Sequence, residues 1–123
     1  MAARIARHFV FVGDVPRAEA FWVGVLGLVV TRTADEGFVH LDDPAGGAGI
    51  ALHHLDALSP PRVPPQRRSE TATKLVLEVT DLPATRAAIL AHGGLADDPW
   101  EWAGTTFCEC TDPEGNPVQL RAI

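Results

Sequence analysis

The sequence repeats itself, and this repeat constrains the fold more than any other feature. Residues 12–28 resemble residues 79–95 at a constant offset of 67 residues, without a gap. A second similar pair, residues 41–52 and 110–120, follows in the same order. The matched residues are Val12, Asp14, Pro16, Ala20, Gly27, Leu28, Asp43, Pro44 and Gly46, with Val79, Asp81, Pro83, Ala87, Gly94, Leu95, Asp112, Pro113 and Gly115. Two similar halves in tandem predict two copies of one structural module.

Each half carries the same succession of signals, a strand, a helix and three strands. Asp14 and Asp81 are good N-caps, and Pro16 and Pro83 fit a first helical turn, where a missing N–H costs little. Glycines at position 27 and at positions 93–94 are expected to end the helices. The strands are predicted at residues 8–12, 29–33, 38–41 and 49–55, and at residues 75–79, 96–98, 105–111 and 117–122. The chain is therefore predicted to be an α+β protein of two tandem βαβββ modules, which form a pseudo-symmetric, cup-shaped mixed sheet.

A proline-rich segment separates the two halves. Residues 56–72 contain four prolines and three arginines, a composition that suits an extended linker. The predicted organisation is a first module at residues 1–55, a linker at residues 56–72 and a second module at residues 73–123. The two modules together are expected to make one domain.

Charge and composition exclude several kinds of partner. The formal net charge of -6 and the pI of about 5.2 describe an acidic chain, which repels a phosphate backbone and predicts no nucleic-acid partner. No apolar run reaches the roughly 18 residues of a membrane span, and the first residues lack the long apolar stretch of a secretory signal. Cys108 and Cys110 are expected to be free thiols that face the helices in a reducing cytoplasm.

The motifs resemble a known superfamily. The segment GDVPRAEAFWVGVLGL at residues 13–28 follows a strand, and DPEGNPVQL at residues 112–120 comes late in the chain. This pattern resembles the vicinal oxygen chelate superfamily, which includes glyoxalase I, extradiol dioxygenases, fosfomycin-modifying enzymes and bleomycin-resistance proteins. The resemblance covers nearly the whole chain outside the linker. It implies the two-module fold but no single activity, because the superfamily spans unrelated reactions.

The resemblance also implies where a metal would be bound. Metal-dependent members take four ligands from the first and last strands of each half, and the matching residues here are Arg7, Ala51, Lys74 and Gln119. Arginine and lysine offer no lone pair at neutral pH, and alanine has no ligand atom. We therefore expect no metal and no other cofactor. A relocated metal site, made of His40, His53 and a glutamate, is kept as an alternative.

Strand alternation assigns side chains to the cavity that the sheets of the two modules are expected to enclose. Aromatic walls and charged groups are expected to form an amphipathic pocket. Trp100 and Trp102 are expected in a loop that either stacks on a flat ligand or places one tryptophan at the edge of the core and leaves the other half exposed. Trp22 is expected in the core. No catalytic residue is assigned. The candidate ligand-binding residues are Arg7, Phe9, Phe11, His40, His53, Lys74, Glu78, Trp100, Trp102, Glu109, Gln119 and Arg121.

Three functions are compatible with these residues. The first is metal-free binding and sequestration of a small planar or cationic, antibiotic-like molecule, as the resemblance to bleomycin-resistance proteins implies. The second is a lyase, isomerase or dioxygenase in which Arg7 and Lys74 hold an anionic substrate, or which uses the relocated metal site. In its metal-free form, Glu78, Glu109 or His53 would move a proton. The third is a regulatory or scaffolding module with a vestigial pocket.

The expected partners follow from the binding hypothesis and from the superfamily. A small molecule is the expected ligand, and a cytoplasmic homodimer is the expected assembly, because relatives generally pair to close the cavity. The sequence leaves open whether the cavity lies within one chain or between two chains.

Overall fold

The chain divides into two compact units, Met1–Pro61 and Arg62–Ile123. The computed structural model describes residues 2–35, 37–68 and 70–123. Each unit contains one helix and a four-stranded mixed sheet in the order βαβββ. The α+β fold of two tandem modules, predicted from the repeat, is confirmed. The division falls inside the segment that was expected to be a linker.

Unit 1 is built around one helix packed on one sheet. Its elements are β1 (Arg7–Val12), α1 (Val15–Leu26), β2 (Val29–Asp35), β3 (Phe38–Asp42) and β4 (Gly49–His54). The strand order is β1-β4-β3-β2, with β1 parallel to β4 and the other neighbours antiparallel. Phe21 and Trp22 of α1 are buried, as are Leu41 and Leu52 of the strands beneath. Trp22 is therefore a core residue, as its helical spacing with Phe21 predicts.

Unit 2 repeats this topology. Its elements are β5 (Leu75–Val79), α2 (Leu82–Ala91), β6 (Trp100–Trp102), β7 (Thr105–Thr111) and β8 (Pro117–Ala122). The strand order is β5-β8-β7-β6, with β5 parallel to β8. Ile89 of α2 and Leu120 of β8 are completely buried. Cys108 and Cys110 lie on the same buried side of β7 as free thiols, with their sulfurs 3.7 Å apart.

The two helices begin in the same way. The carboxylate of Asp14 accepts a hydrogen bond from the backbone N–H of Arg17, and that of Asp81 accepts one from Ala84, each at 3.0 Å. These bonds satisfy N–H groups that have no partner within the helix. The ends differ, because α1 stops at Gly27 in the left-handed conformation. His92 is the C-cap of α2, one residue before the glycine pair.

The strand predicted at residues 96–98 is wrong. Ala96 makes only an isolated bridge to Cys110, and the edge strand of unit 2 is β6, which contains both tryptophans expected in a loop. β6 and β7 form a hairpin across Ala103 and Gly104, whose φ values are 51° and 77°. A two-residue turn with two positive φ values matches the twist of antiparallel strands. The usual Asn-Gly or Asp-Gly signal is absent here, so the hairpin is not evident from the sequence.

The turns between the last two strands of each unit are also equivalent. Asp43 accepts a hydrogen bond from the backbone of Ala45, and Asp112 accepts one from Glu114, at 2.8 and 2.9 Å. Each aspartate is followed by a glycine with positive φ, at position 46 or 115. These local bonds fix the turns and thereby the pairing of the strands that flank them. Within the residues that the structure describes, no helix is long and apolar enough to span a membrane.

Candidate functional site

One face of the unit 1 sheet is left open by its helix. Alternate residues of β1, β3 and β4, such as Val12, Leu41 and Leu52, are buried on the side of α1. Their neighbours point to the opposite side, because successive side chains of a strand alternate. We call this opposite side the open face of unit 1. It carries Arg7, Phe9, Phe11, Phe38, His40, Asp42, Ala51 and His53.

Aromatic rings form a continuous cluster on the open face of unit 1. The ring centroids of Phe9 lie 5.2 Å from Phe11 and 6.0 Å from Phe38. His53 contacts these rings, with its centroid 5.7 Å from that of Phe38. Phe9 is 42% exposed and Phe11 is 48% exposed. Large apolar side chains that are clustered and exposed mark a surface able to bind a ligand or partner.

Charged groups lie at the other end of the same open face. The guanidinium of Arg7 is 3.2 Å from the Asp42 carboxylate, whose second oxygen accepts a 3.0 Å hydrogen bond from Thr31. Arg32 of β2 pairs in register with His40 of β3. Partial burial lowers the pKa of His40, the charges of Arg7 and Arg32 lower it further, and Asp42 acts in the opposite direction. The lowered pKa favours the neutral form of the His40 imidazole.

The sheet of unit 2 has a corresponding open face. Leu120, Cys108 and Cys110 are buried on the side of α2, so their neighbours along the strands point away from the helix. The open face of unit 2 carries Lys74, Val76, Glu78, Trp100, Trp102, Phe107, Glu109, Gln119 and Arg121.

The charged groups on the open face of unit 2 are bonded to one another. The ammonium of Lys74 lies 3.4 and 3.5 Å from the two oxygens of Glu109, which also accepts a hydrogen bond from Gln119. Arg121 is 3.7 Å from Glu78. These pairs balance charge across the strands, so the carboxylates are not free ligands for a cation.

A stacked aromatic pair lies at the edge of the open face of unit 2. The rings of Trp100 and Phe107 are stacked with centroids 4.8 Å apart. Trp100 is 41% exposed, and Trp102, on the same side of β6, is 68% exposed. Alternation places Glu101 on the opposite side of β6, away from both tryptophans. The two indoles can therefore offer flat apolar surface to a ligand at low entropic cost.

The superfamily's metal positions do not fit a metal in either unit. In unit 1, Arg7 is paired with Asp42 and Ala51 has no donor atom; in unit 2, Lys74 and Gln119 both bind Glu109. Among the residues that the structure describes, no group of three histidine, cysteine, aspartate or glutamate side chains is arranged to hold a metal ion. A hard divalent metal needs several such donors. The relocated site of His40, His53 and a glutamate is likewise not assembled in this part of the chain.

The twelve candidate residues fall on the two open faces, five in unit 1 and seven in unit 2. Sequence reasoning missed Phe38, Arg32 and Asp42, which complete the open face of unit 1. Phe38 is two residues before His40 on β3, so the same alternation identifies it. Arg32 and Thr31 lie at a register shift between β2 and β3, which alternation alone does not predict.

A cavity of about 260 Å³ lies elsewhere in unit 1, at the start of α1. Its walls include Gly13, Asp14, His54 and the prolines at 60 and 61. The imidazole of His54 lies 2.8 Å from the carboxylate of Asp56. No phenylalanine or tryptophan lines this cavity, so a flat aromatic ligand is better matched by the open faces.

Two βαβββ modules with open sheet faces define the class of this protein, the vicinal oxygen chelate superfamily. The family model "Glyoxalase-like domain" matches residues 8–121, so the chain belongs to that family. The superfamily that the motifs resemble is thereby confirmed. No curated protein matches the sequence significantly.

Solved structures show the same fold at low sequence identity. A glyoxalase/bleomycin resistance protein/dioxygenase family enzyme from Burkholderia phytofirmans is 19% identical, with a TM-score of 0.78 over 98% of this chain and 99% of that one. The fosfomycin resistance protein FosX of Listeria monocytogenes is 15% identical, with a TM-score of 0.77 over 100% and 95%. Lactoylglutathione lyase from Agrobacterium tumefaciens is 19% identical, with a TM-score of 0.68 over 98% and 94%. These likenesses establish the fold and leave the activity open.

Proposed function

We propose that this protein binds a small planar molecule on the open faces of its sheets without a metal ion, and protects against that molecule by sequestering it. The observation that carries the proposal is the exposure of Phe9 and Phe11 in unit 1 and of Trp100 and Trp102 in unit 2. Exposed aromatic side chains on a rigid sheet bind flat ligands by stacking, with little loss of side-chain entropy.

The charged groups support binding rather than metal chemistry. Lys74, Glu109 and Gln119 form a closed polar network at the place where a metal ligand is expected from the superfamily. Opening this network for a metal would leave the Lys74 ammonium beside the incoming cation. Electrostatic repulsion therefore opposes metal binding in unit 2.

The names of two structures with the same fold support the choice of a ligand class. A fosfomycin resistance protein and a glyoxalase/bleomycin resistance family member share this fold, so an antibiotic-like compound is the proposed ligand class. A sequestering protein lowers the free concentration of such a compound by mass action. Protection then scales with the amount of protein and not with time. A cytoplasmic location and a homodimer are part of this proposal, and size-exclusion chromatography with light scattering tests the dimer.

Isothermal titration calorimetry with flat aromatic probes tests the proposal. The probes are naphthalene-2-carboxylate, naphthalene-2-carboxamide and 2-naphthylmethylammonium, each with and without EDTA. At least one probe should bind saturably with an affinity that EDTA does not change. Phe9→Ala should weaken a probe bound on unit 1, and Trp102→Ala a probe bound on unit 2, each by roughly three- to tenfold, as for loss of an aromatic contact.

The control for Trp102→Ala is Glu101→Ala, which changes the opposite side of the same strand. Glu101→Ala should leave the affinity unchanged. Absence of binding by all three probes, or binding that EDTA abolishes, would contradict the proposal.

A metal-free enzyme is the second candidate function. The observation that favours it is the neutral His40 imidazole beside Arg7 and Arg32, a suitable base next to a site for an anion. Lactoylglutathione lyase and the Burkholderia phytofirmans family member carry names of enzymes. The two functions differ in the fate of the ligand, since sequestration returns the compound unchanged after denaturation of the protein. Chromatography of the recovered ligand therefore separates them.

A further inference from the structure

Two guanidinium groups lie at one end of the open face of unit 1, those of Arg7 and Arg32. The Asp42 carboxylate forms an ion pair with Arg7 and accepts a hydrogen bond from the Thr31 hydroxyl. Where the structure describes side chains, no carboxylate pairs with Arg32, which is exposed beside His40. Among the side chains that the structure describes on the open face of unit 1, two guanidinium groups, Arg7 and Arg32, therefore stand against one carboxylate, Asp42, on a chain whose formal net charge is -6. This arrangement contrasts with the paired charges on the open face of unit 2.

Neutral polar groups strengthen this local preference for an anion. Partial burial and the charges of Arg7 and Arg32 lower the pKa of His40, while Asp42 opposes them. The neutral ring can donate one N–H to an oxygen ligand without bringing a further charge. One guanidinium nitrogen of Arg7 donates a hydrogen bond to Asp42, and the same guanidinium has other N–H groups that can donate to a ligand.

The positive and aromatic parts of this face adjoin one another. The ring of Phe38 lies 4.8 Å from His40, and Phe9 lies 6.0 Å from Phe38 on its other side. A flat molecule stacked on Phe9 and Phe38 therefore has one edge directed toward His40. The rings of the cluster are tilted by 37° to 59° at these contacts, which leaves ring faces and edges accessible to a ligand.

We infer that the open face of unit 1 selects a flat aromatic anion, with its carboxylate held by Arg7, Arg32 and His40 and its ring on Phe9 and Phe38. The inference rests on the proposed function and names the charge of its ligand. It differs from the cationic alternative within the planar or cationic ligand of the binding hypothesis, because the guanidinium groups of Arg7 and Arg32 lie at this end of the face. Guanidinium groups suit a carboxylate because they bind it through directed, charge-assisted hydrogen bonds.

The three naphthalene probes share one ring system and differ in charge, so they test the inference by calorimetry at low salt. The carboxylate should bind about tenfold more tightly than the carboxamide, the lower end of what a charge-assisted hydrogen bond contributes. The ammonium probe should bind most weakly. Added salt should reduce the advantage of the carboxylate, because the site is partly exposed.

Variants separate the anion site from the aromatic surface. Arg32→Gln should remove most of the carboxylate's advantage and leave the carboxamide affinity unchanged, whereas Phe9→Ala should weaken both probes equally. Ala20→Glu is the matched control, since it shifts the net charge by the same amount on the exposed surface of α1, on the other side of the sheet. It should leave the ratio of affinities unchanged.

The failure of this inference is distinct from the failure of the proposed function. Equal binding of all three probes, or an effect of Ala20→Glu as large as that of Arg32→Gln, would overturn the anion site while metal-free planar binding stands. Binding of none of the probes would refute the proposed function and the anion site with it.

Discussion

Gly46 and Gly115 occupy equivalent turns of the repeat, and replacing each by alanine should have unequal effects. Both glycines have positive φ, 90° and 86°, which an alanine adopts only with strain. A Cβ at position 46 would meet nothing within 4 Å, whereas a Cβ at position 115 would overlap the backbone carbonyl oxygen of Gln66. That oxygen belongs to main chain and cannot rotate away.

The magnitudes follow from these contacts. Gly46→Ala should lower the free energy of unfolding by about 1 kcal/mol, the cost of a left-handed alanine. Gly115→Ala carries the same strain and must also push away residues 66–68. It thereby loses the 3.1 Å hydrogen bond from the Arg68 N–H to the Gly115 carbonyl and the 2.9 Å ion pair of Arg67 with Asp97. Together these add about 1–2 kcal/mol.

Urea unfolding followed by circular dichroism measures the two free energies, and hydrogen exchange of the Arg68 amide reports the local contact. The Arg68 amide should lose protection in Gly115→Ala and keep it in Gly46→Ala. Equal loss of stability in the two variants, with the Arg68 amide still protected in both, would refute the reasoning that residues 66–68 pack on this turn.

Three further outcomes are expected from the structure. Cys108 and Cys110 should not react with a thiol reagent until the protein is unfolded, because both side chains are buried. Burial and the neighbouring thiol also raise the pKa of Cys110 to about 12. Rapid labelling of the folded protein would contradict this prediction. Asp81→Ala should lower the free energy of unfolding by about 1 kcal/mol in a denaturant titration through loss of the helix cap, and Asp81→Asn by much less. The pKa of His40 is lower in the folded protein than its unfolded value of 6.5, so the unfolded state binds more protons between these two values. The free energy of unfolding should therefore fall as the pH drops from 6.5 toward the folded pKa, and His40→Gln should flatten this part of the pH profile.

The repeat predicts much of the fold because its signals are local. Asp14 and Asp81 mark both helix starts, and the strands at residues 75–79, 105–111 and 117–122 coincide with β5, β7 and β8. β6 was missed because its hairpin turn is Ala-Gly and its three residues, Trp100–Trp102, are too few to show a period. Short edge strands depend on pairing with a neighbour more than on their own sequence.

The candidate site shows the same limit of sequence reasoning. Alternation assigns Phe9, His40 and Glu109 to the open faces without any knowledge of strand pairing. It does not predict which charges meet, since the pairing of Arg7 with Asp42 depends on the order β1-β4-β3 and on side-chain reach. The position of Arg32 beside His40 follows from a register shift, and such shifts depend on tertiary packing.

The two units share one backbone topology and differ in the side chains on their open faces. Phe11, His53 and Phe38 follow one another across three strands of unit 1, and the same register in unit 2 holds Glu78, Arg121 and Phe107. The pair Phe11 and His53 of unit 1 therefore corresponds to the charged pair Glu78 and Arg121 of unit 2, and the third position is phenylalanine in both units. Since the backbone pairing is the same, this difference changes ligand chemistry without disturbing the core.

The central claim is that the protein binds its ligand without a metal ion, and elemental analysis of the purified, tag-free protein tests it most directly. The protein is dialysed without a chelator, and zinc, nickel, iron, manganese and cobalt are measured against protein concentration. Binding without a metal ion predicts a metal content near zero. About one equivalent of any of these metals per chain, lost when His40 or His53 is changed to glutamine, would contradict it and establish a relocated metal site.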